Sequence, residues 1–210
     1  MNRGKFVTLE GTEGSGKTLQ IERICAQLDR IGVRHIRTFE PGGTDFGKEV
    51  REVLLSSKGA RREPVSELLL YLADRYQHLR EKVDPAIENG LLVISDRYHD
   101  ATLAYQAFAR DIGFELVNRL SAALGIRMPD LTLVLDISPE IGLQRARARN
   151  LKEDSSLGRF EEEEIHFHNR VREGYRYLAL EHPKRIRLID ASGEPDEVFE
   201  RIWQEFSEIL

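Results

Sequence analysis

A chain of 210 residues has the length of a single domain able to bury a sizeable core, and its one cysteine, Cys25, excludes an internal disulfide framework. Its 36 acidic side chains outnumber 31 Lys and Arg, a formal net charge of -5 that lacks the global basic footprint of a nucleic-acid binder. No apolar run approaches a membrane span and no signal-like stretch opens the chain, so a soluble protein of the reducing cytoplasm with no membrane partner is expected.

The first expected strand, residues 6–9, runs into Gly11-Thr12-Glu13-Gly14-Ser15-Gly16-Lys17-Thr18, a GxxxxGKT sequence. A helix is expected over residues 19–31, where Ile21, Ile24, Leu28 and Ile31 recur at helical spacing. Strand, glycine-rich loop and helix in that order form the setting in which a P-loop cradles a triphosphate. Its glycines let consecutive N–H groups point at phosphate oxygens, and the helix start adds its positive dipole end. Lys17 supplies a point charge, and the Thr18 hydroxyl is a ligand for Mg²⁺. A chance glycine-rich turn would have neither flanking element. Cys25, on the apolar helix, reads as a small core residue.

The second strand, His35–Phe39, ends at Glu40-Pro41-Gly42-Gly43-Thr44. Residues 56–64 are polar and basic, an expected mobile stretch before a long helix on which Tyr71 and Arg75, four apart, share a face. Residues 82–85, with Pro85, are expected to kink or end that helix. The third strand, 91–95, leads into Asp96-Arg97-Tyr98, and Thr102 and Gln106 flank Tyr105 on the helix that follows. After the fourth strand, Leu131–Asp136, and one helix comes a polar loop, 150–158, flanked by Arg145, Arg147, Arg149 and Arg159; this suits a lid closing over phosphates. His166 and His168, two apart on a helix, point in different directions and cannot share a metal; both are expected to be solvated or at an interface. The fifth strand, 185–189, ends at Asp190-Ala191-Ser192.

Alternating short apolar strands and helices with charged outer faces predict an α/β fold of the P-loop NTPase type. Its five-stranded parallel sheet would carry helices on both faces and a short lid at about 145–160, all in one domain over 1–210. The chemically rich clusters then fall at the carboxyl ends of the strands, along one sheet edge, where ligands bind in such folds.

A P-loop alone does not separate a switch GTPase, a motor and a small-molecule kinase. There is no NKxD-type guanine reader, and the chain is short and lacks the basic track of a nucleic-acid motor. The ordered set GTEGSGKT (11–18), EPGGT (40–44), LLLYLADRYQH (68–78), SDRYHDATLAYQ (95–106), PDLTLVLDISPEIGLQRARAR (129–149), GRFE (158–161) and IDAS (189–192) resembles the thymidylate kinase family over almost the entire chain. That resemblance implies transfer of the γ-phosphoryl group of ATP, with Mg²⁺, to dTMP by a homodimer. It places Lys17 and the N–H groups of residues 11–18 on the donor phosphates, Thr18 and Asp96 on Mg²⁺, and Arg97 between the acceptor phosphate and the migrating group. It further implies that Tyr71 stacks on thymine, Arg75 donates to O4, Thr102 or Gln106 reads the base edge, and Tyr105 crowds the sugar C2′. Glu13 would contact the 3′-OH or help position Arg97. The turn at Glu40 and Pro41, often with a cis bond in the family, would lie beside the acceptor phosphate. Arg149, supported by Arg159, would neutralise γ-phosphoryl charge, and Arg145 would pack on adenine opposite the backbone at Ala191 and Ser192. Gly14 stands where some members carry the catalytic arginine, which matches the bacterial pattern of lid arginines. Two positions depart from the family: Thr38-Phe39-Glu40 replaces TRE before the PGGT turn, and Gly158 replaces the acid before Arg159. The competing readings are a kinase for another pyrimidine nucleotide or deoxynucleoside, and a non-catalytic nucleotide-binding regulator.

Overall fold

The computed structural model describes residues 3–56, 62–152 and 163–210. Its centre is β1, Phe6–Gly11, six consecutive buried residues, as a strand covered on both faces requires. Around it β2 (His35–Phe39), β3 (Leu92–Asp96), β4 (Leu131–Asp136) and β5 (Ile186–Asp190) complete a parallel sheet in the order β2-β3-β1-β4-β5. The register pairs Phe39 and Leu9 with Asp96, Gly11 with Leu135, and Asp136 with Asp190. The strand ends that carry Glu40, the P-loop, Arg97 and Ala191 therefore lie along one edge.

The helices in chain order are α1 (Lys17–Arg30), α2 (Asp45–Leu55), α3 (Pro64–His78), α4 (Asp84–Glu88), α5 (His99–Thr102), α6 (Phe114–Ala123), α7 (Pro139–Lys152), α8 (Ile165–Glu181) and α9 (Pro195–Ser207). Alternate strand residues point to opposite faces. Val7, Leu9, Ile94 and Leu133 pack on Ile21, Ile24 and Leu28 of α1 and on Ile202 and Phe206 of α9. On the other face Phe6 and Val93 meet Leu79, Val83 and Ile87, while Val134 and Ile186 meet Leu68, Leu72, Val171 and Tyr175. That second face also holds a polar clasp. Thr132 Oγ1 donates to Asp100 Oδ2 at 2.8 Å, and Arg185 grips the same carboxylate through two nitrogens at 2.6 and 2.9 Å.

Several element boundaries differ from the sequence reading. β1 runs two residues further, to Gly11, and α1 begins at Lys17 because the P-loop turns through Gly16 at φ 94° directly into the helix. β3 and β5 each start and end one residue later than expected. Residues 82–85 do not end the helix. A π-helical stretch, Leu79–Val83, joins α3 to α4, and the Asp84 N–H donates back to Leu79 O. The wider bonding pattern absorbs the N–H that Pro85 lacks, and the helix stops only at Asn89 and Gly90. A second π-helical stretch, Leu103–Ala109, follows α5. The expected mobile stretch at 56–64 and the lid at 150–158 fall largely outside the described residues, as do Gly158 and Arg159. At 150–152, the described part of the expected lid loop, the chain is helical, since α7 continues to Lys152. Among the described residues no helix is long and apolar enough to cross a membrane.

Candidate active site

The P-loop closes on itself. Lys17 Nζ donates to Gly11 O at 3.1 Å, Thr12 O at 2.9 Å and Ser15 Oγ at 3.2 Å, inside the turn a phosphate would fill. Burial and the neighbouring Arg97 push the Lys17 ammonium down to about 8. Gly14, at φ 67°, presses against α7: a Cβ there would stand 1.9 Å from Gly142 O. An arginine side chain at this position has no room without moving α7.

Thr18 Oγ1 donates to Asp96 Oδ2 at 3.3 Å. A hydroxyl and a carboxylate side by side at the loop mouth fit Mg²⁺, which takes few protein ligands and completes its shell with water and substrate phosphates. Among the described residues no cluster of three or more His, Cys, Asp or Glu could hold a metal by itself.

Arg97 stands just beyond β3 at φ 66°, in the left-handed region. Its N–H donates to Leu9 O at 2.9 Å and its carbonyl accepts from Ser95 Oγ at 2.8 Å, which pins this backbone. Nη2 donates to Glu13 Oε1 at 2.9 Å, and the guanidinium lies 5.0 Å over the Tyr105 ring. Tyr105 Oη donates to the same Glu13 oxygen at 2.7 Å. Burial alone would raise the Glu13 carboxyl, but His168, Arg97 and Lys17 outweigh it and hold it down to about 2. Glu13 thus contacts Arg97.

Arg75 is the hub of the acceptor side. Fully buried, it donates from Nε to Glu40 Oε2 at 2.9 Å and from Nη2 to Tyr98 O at 2.9 Å and Thr102 Oγ1 at 3.0 Å. Nη1 alone of its nitrogens lacks a protein partner. The other Glu40 oxygen pairs with His78 Nδ1 at 2.7 Å, and His78 Nε2 with Thr38 Oγ1 at 2.6 Å. The Glu40–Pro41 bond is cis. Gln106 Nε2 donates to Glu67 Oε1 at 3.1 Å, and Tyr71 is half-buried one turn before Arg75.

One cleft of about 790 Å³ is lined by Glu13 to Thr18, Glu40, Asp96, Arg97, Arg145, Arg149 and Ala191. Pro41, Tyr71, Arg75, Thr102, Tyr105 and Gln106 do not line it; Arg75 joins it through Glu40, and Tyr105 through Arg97 and Glu13. Gly11 and Thr12 contribute the carbonyls that hold Lys17. Arg145 and Arg149, four apart on α7, share the cleft face, whereas Arg147 faces a groove toward the start of α8. Gly193, Glu194, Pro195 and Val198 line the cleft with Ala191.

Two residues escaped the sequence reading. Arg51 lines the cleft, donates to Pro41 O at 2.7 Å and sits 5.8 Å over Phe39. Its signal was an arginine spaced with Gly47 and Leu54 on the buried face of α2. His168 is a correction. It is fully buried beside Glu13 rather than solvated or at an interface, because it continues the inward stripe of Val171, Tyr175 and Leu178. His166 is exposed as expected.

The family model described as thymidylate kinase matches residues 9–202. The chain belongs to the thymidylate kinase family. It is 46% identical over 207 residues to the thymidylate kinase of Syntrophotalea carbinolica, covering 98% of this chain and 96% of that protein. It is also 46% identical over 209 residues to that of Solidesulfovibrio magneticus, covering 98% and 100%. The crystal structure of thymidylate kinase from Ehrlichia chaffeensis superposes with a TM-score of 0.78 at 28% identity, over 98% of this chain and 99% of that one. The five-stranded P-loop NTPase architecture is thus that of the thymidylate kinase family.

Proposed function

We infer that this protein transfers the γ-phosphoryl group of ATP to dTMP, giving dTDP and ADP. The observation that carries the reading is a single cleft in which Lys17, Arg37, Arg51, Arg97, Arg145 and Arg149 gather between the Glu40 turn and the wall at Ala191. Phosphoryl transfer needs positioning and charge stabilisation more than a strong base, and the cations lining the cleft would supply both to two approaching phosphates. Lys17 would release the loop carbonyls to hold the donor phosphates. An oxygen of the dTMP phosphate attacks the γ-phosphorus, the bond to the β-phosphate oxygen breaks, and ADP leaves. Arg97, fixed by Glu13, would bridge acceptor and migrating group; Arg149 would neutralise charge from the donor side, and Arg145 would pack on adenine. Thr18 and Asp96 would hold Mg²⁺, which neutralises charge on the β- and γ-phosphate oxygens when bound.

On the acceptor side Tyr71 offers an aromatic face, and the spare Nη1 of Arg75 is the donor for a base carbonyl. The chain would work as one nucleoside monophosphate kinase domain in the cytoplasm. Homodimer formation is supported by exposed apolar side chains on two helices that pack together, Phe46 and Val53 on α2 and Val65, Leu69 and Tyr76 on α3.

A coupled ADP-release assay across dTMP, dUMP, UMP, CMP and thymidine tests the reading. The highest kcat/KM is expected with dTMP; preference for a ribonucleotide or for thymidine would replace it with another kinase. ATP binding without turnover would favour a regulator.

A further inference from the structure

Helix α8 reaches both acids of the β1–P-loop segment through two side chains, seven residues apart on its inward face. Tyr175 Oη donates to Glu10 Oε2 at 2.9 Å, and His168 Nδ1 lies 3.2 Å from Glu13 Oε2. The Phe167 ring meets the imidazole edge-on at 5.8 Å.

The two oxygens of Glu13 are unequally served. Oε1 accepts from both Arg97 and Tyr105. Oε2 is buried with no in-line hydrogen-bond donor, and neither nitrogen of the equally buried His168 has an in-line partner. Polar atoms removed from water are normally paired, and a charged oxygen left bare is costly. The imidazole is placed to meet that need with a small rotation.

We propose that His168 is a positioning residue. With its hydrogen on Nδ1 it steadies Oε2 of Glu13, and so sets the carboxylate that orients the Arg97 guanidinium toward the phosphates. The inference rests on Arg97 as the bridging arginine. An apolar side chain in its place would still fill the core. It would, however, leave Oε2 bare, and the carboxylate would turn, taking Arg97 with it. The loss then falls on the chemical step rather than on ATP binding.

Steady-state kinetics of His168→Leu and His168→Asn test this, the asparagine amide nitrogen falling near the place of Nδ1. His168→Leu is expected to lower kcat about tenfold with KM for ATP within about twofold, and His168→Asn to recover at least about half of the loss. In a Glu13→Gln background His168→Leu should cost no more than about twofold, because the carboxylate it serves is gone. Wild-type kcat in His168→Leu, equal losses in the leucine and asparagine variants, or full additivity with Glu13→Gln would each overturn the proposal. If His168→Leu does not fold, judged by thermal unfolding, His168→Gln takes its place in the same cycle, its amide reaching past Glu13. Failure of the functional reading shows separately, as wild-type protein that does not phosphorylate dTMP.

Discussion

Arg97 keeps a left-handed backbone at φ 66° that a bulky L-residue adopts at a cost of about 1–3 kcal/mol. The bonds to Leu9 O and from Ser95 Oγ hold it there, and the consequence is a guanidinium aimed back across the P-loop at Glu13. Arg97→Ala is expected to cut kcat about a hundredfold or more, as lost stabilisation of developing charge does. Tyr71→Ala should act differently, because stacking on a base is felt equally in the ground and transition states. We expect KM for dTMP to rise about tenfold with kcat within about threefold. Steady-state kinetics with dTMP varied at saturating ATP separates the two, and an equal fall of kcat in both with KM unchanged would overturn the division. Arg75 shows what residue type and spacing leave out. Its place on the Tyr71 face was legible, but its role as the hub joining Glu40, Tyr98 and Thr102 depends on two other segments of chain.

Among the elements, the P-loop and α7 meet backbone to backbone through two glycines. A Cβ at Gly142 would lie 2.3 Å from Glu13 O, just as one at Gly14 would collide with Gly142 O. Two effects compete in Gly142→Ala. Alanine gains about 1 kcal/mol of helix propensity over glycine. Forcing a methyl group into a packed contact costs about 1–3 kcal/mol, and here the obstacle is backbone that cannot swing aside. The contact wins. Gly142→Ala is expected to raise KM for ATP about fivefold or more and to lower the thermal midpoint, in line with a displaced loop carbonyl. Kinetics and a thermal melt check it; a raised midpoint with unchanged KM would mean that α7 and the loop separate freely. The same contact gives Gly14 its meaning: α7 occupies the space an arginine would need, and brings Arg145 and Arg149 to the cleft instead.

At the scale of the whole molecule, Phe46, Val53, Val65, Leu69 and Tyr76 are exposed apolar side chains on two helices that pack together, and the proposed homodimer would cover them. Leu69→Glu, placed where Leu69 is 51% exposed, should leave the fold intact and shift the protein to monomer in sedimentation at micromolar concentration. A dimer that survives the change would move the interface elsewhere. The parallel sheet, its five strands and the functional edge were legible in the sequence, because short apolar runs, helical spacing and glycines at forced turns are local signals. Local signals also carried Lys17 and Thr18, at the start of α1 after the P-loop, and Asp96 and Arg97, at the end of β3. Other features were decided only when distant segments met. Tyr175 reaches Glu10 across 165 residues of chain, His168 comes to Glu13 from the same helix, and Arg51 closes on Pro41 from α2. A side chain's spacing tells which way it faces on its own helix. What lies opposite it is set by the packing of the whole chain, and that is why a histidine that looked like surface became part of the buried polar shell around the P-loop.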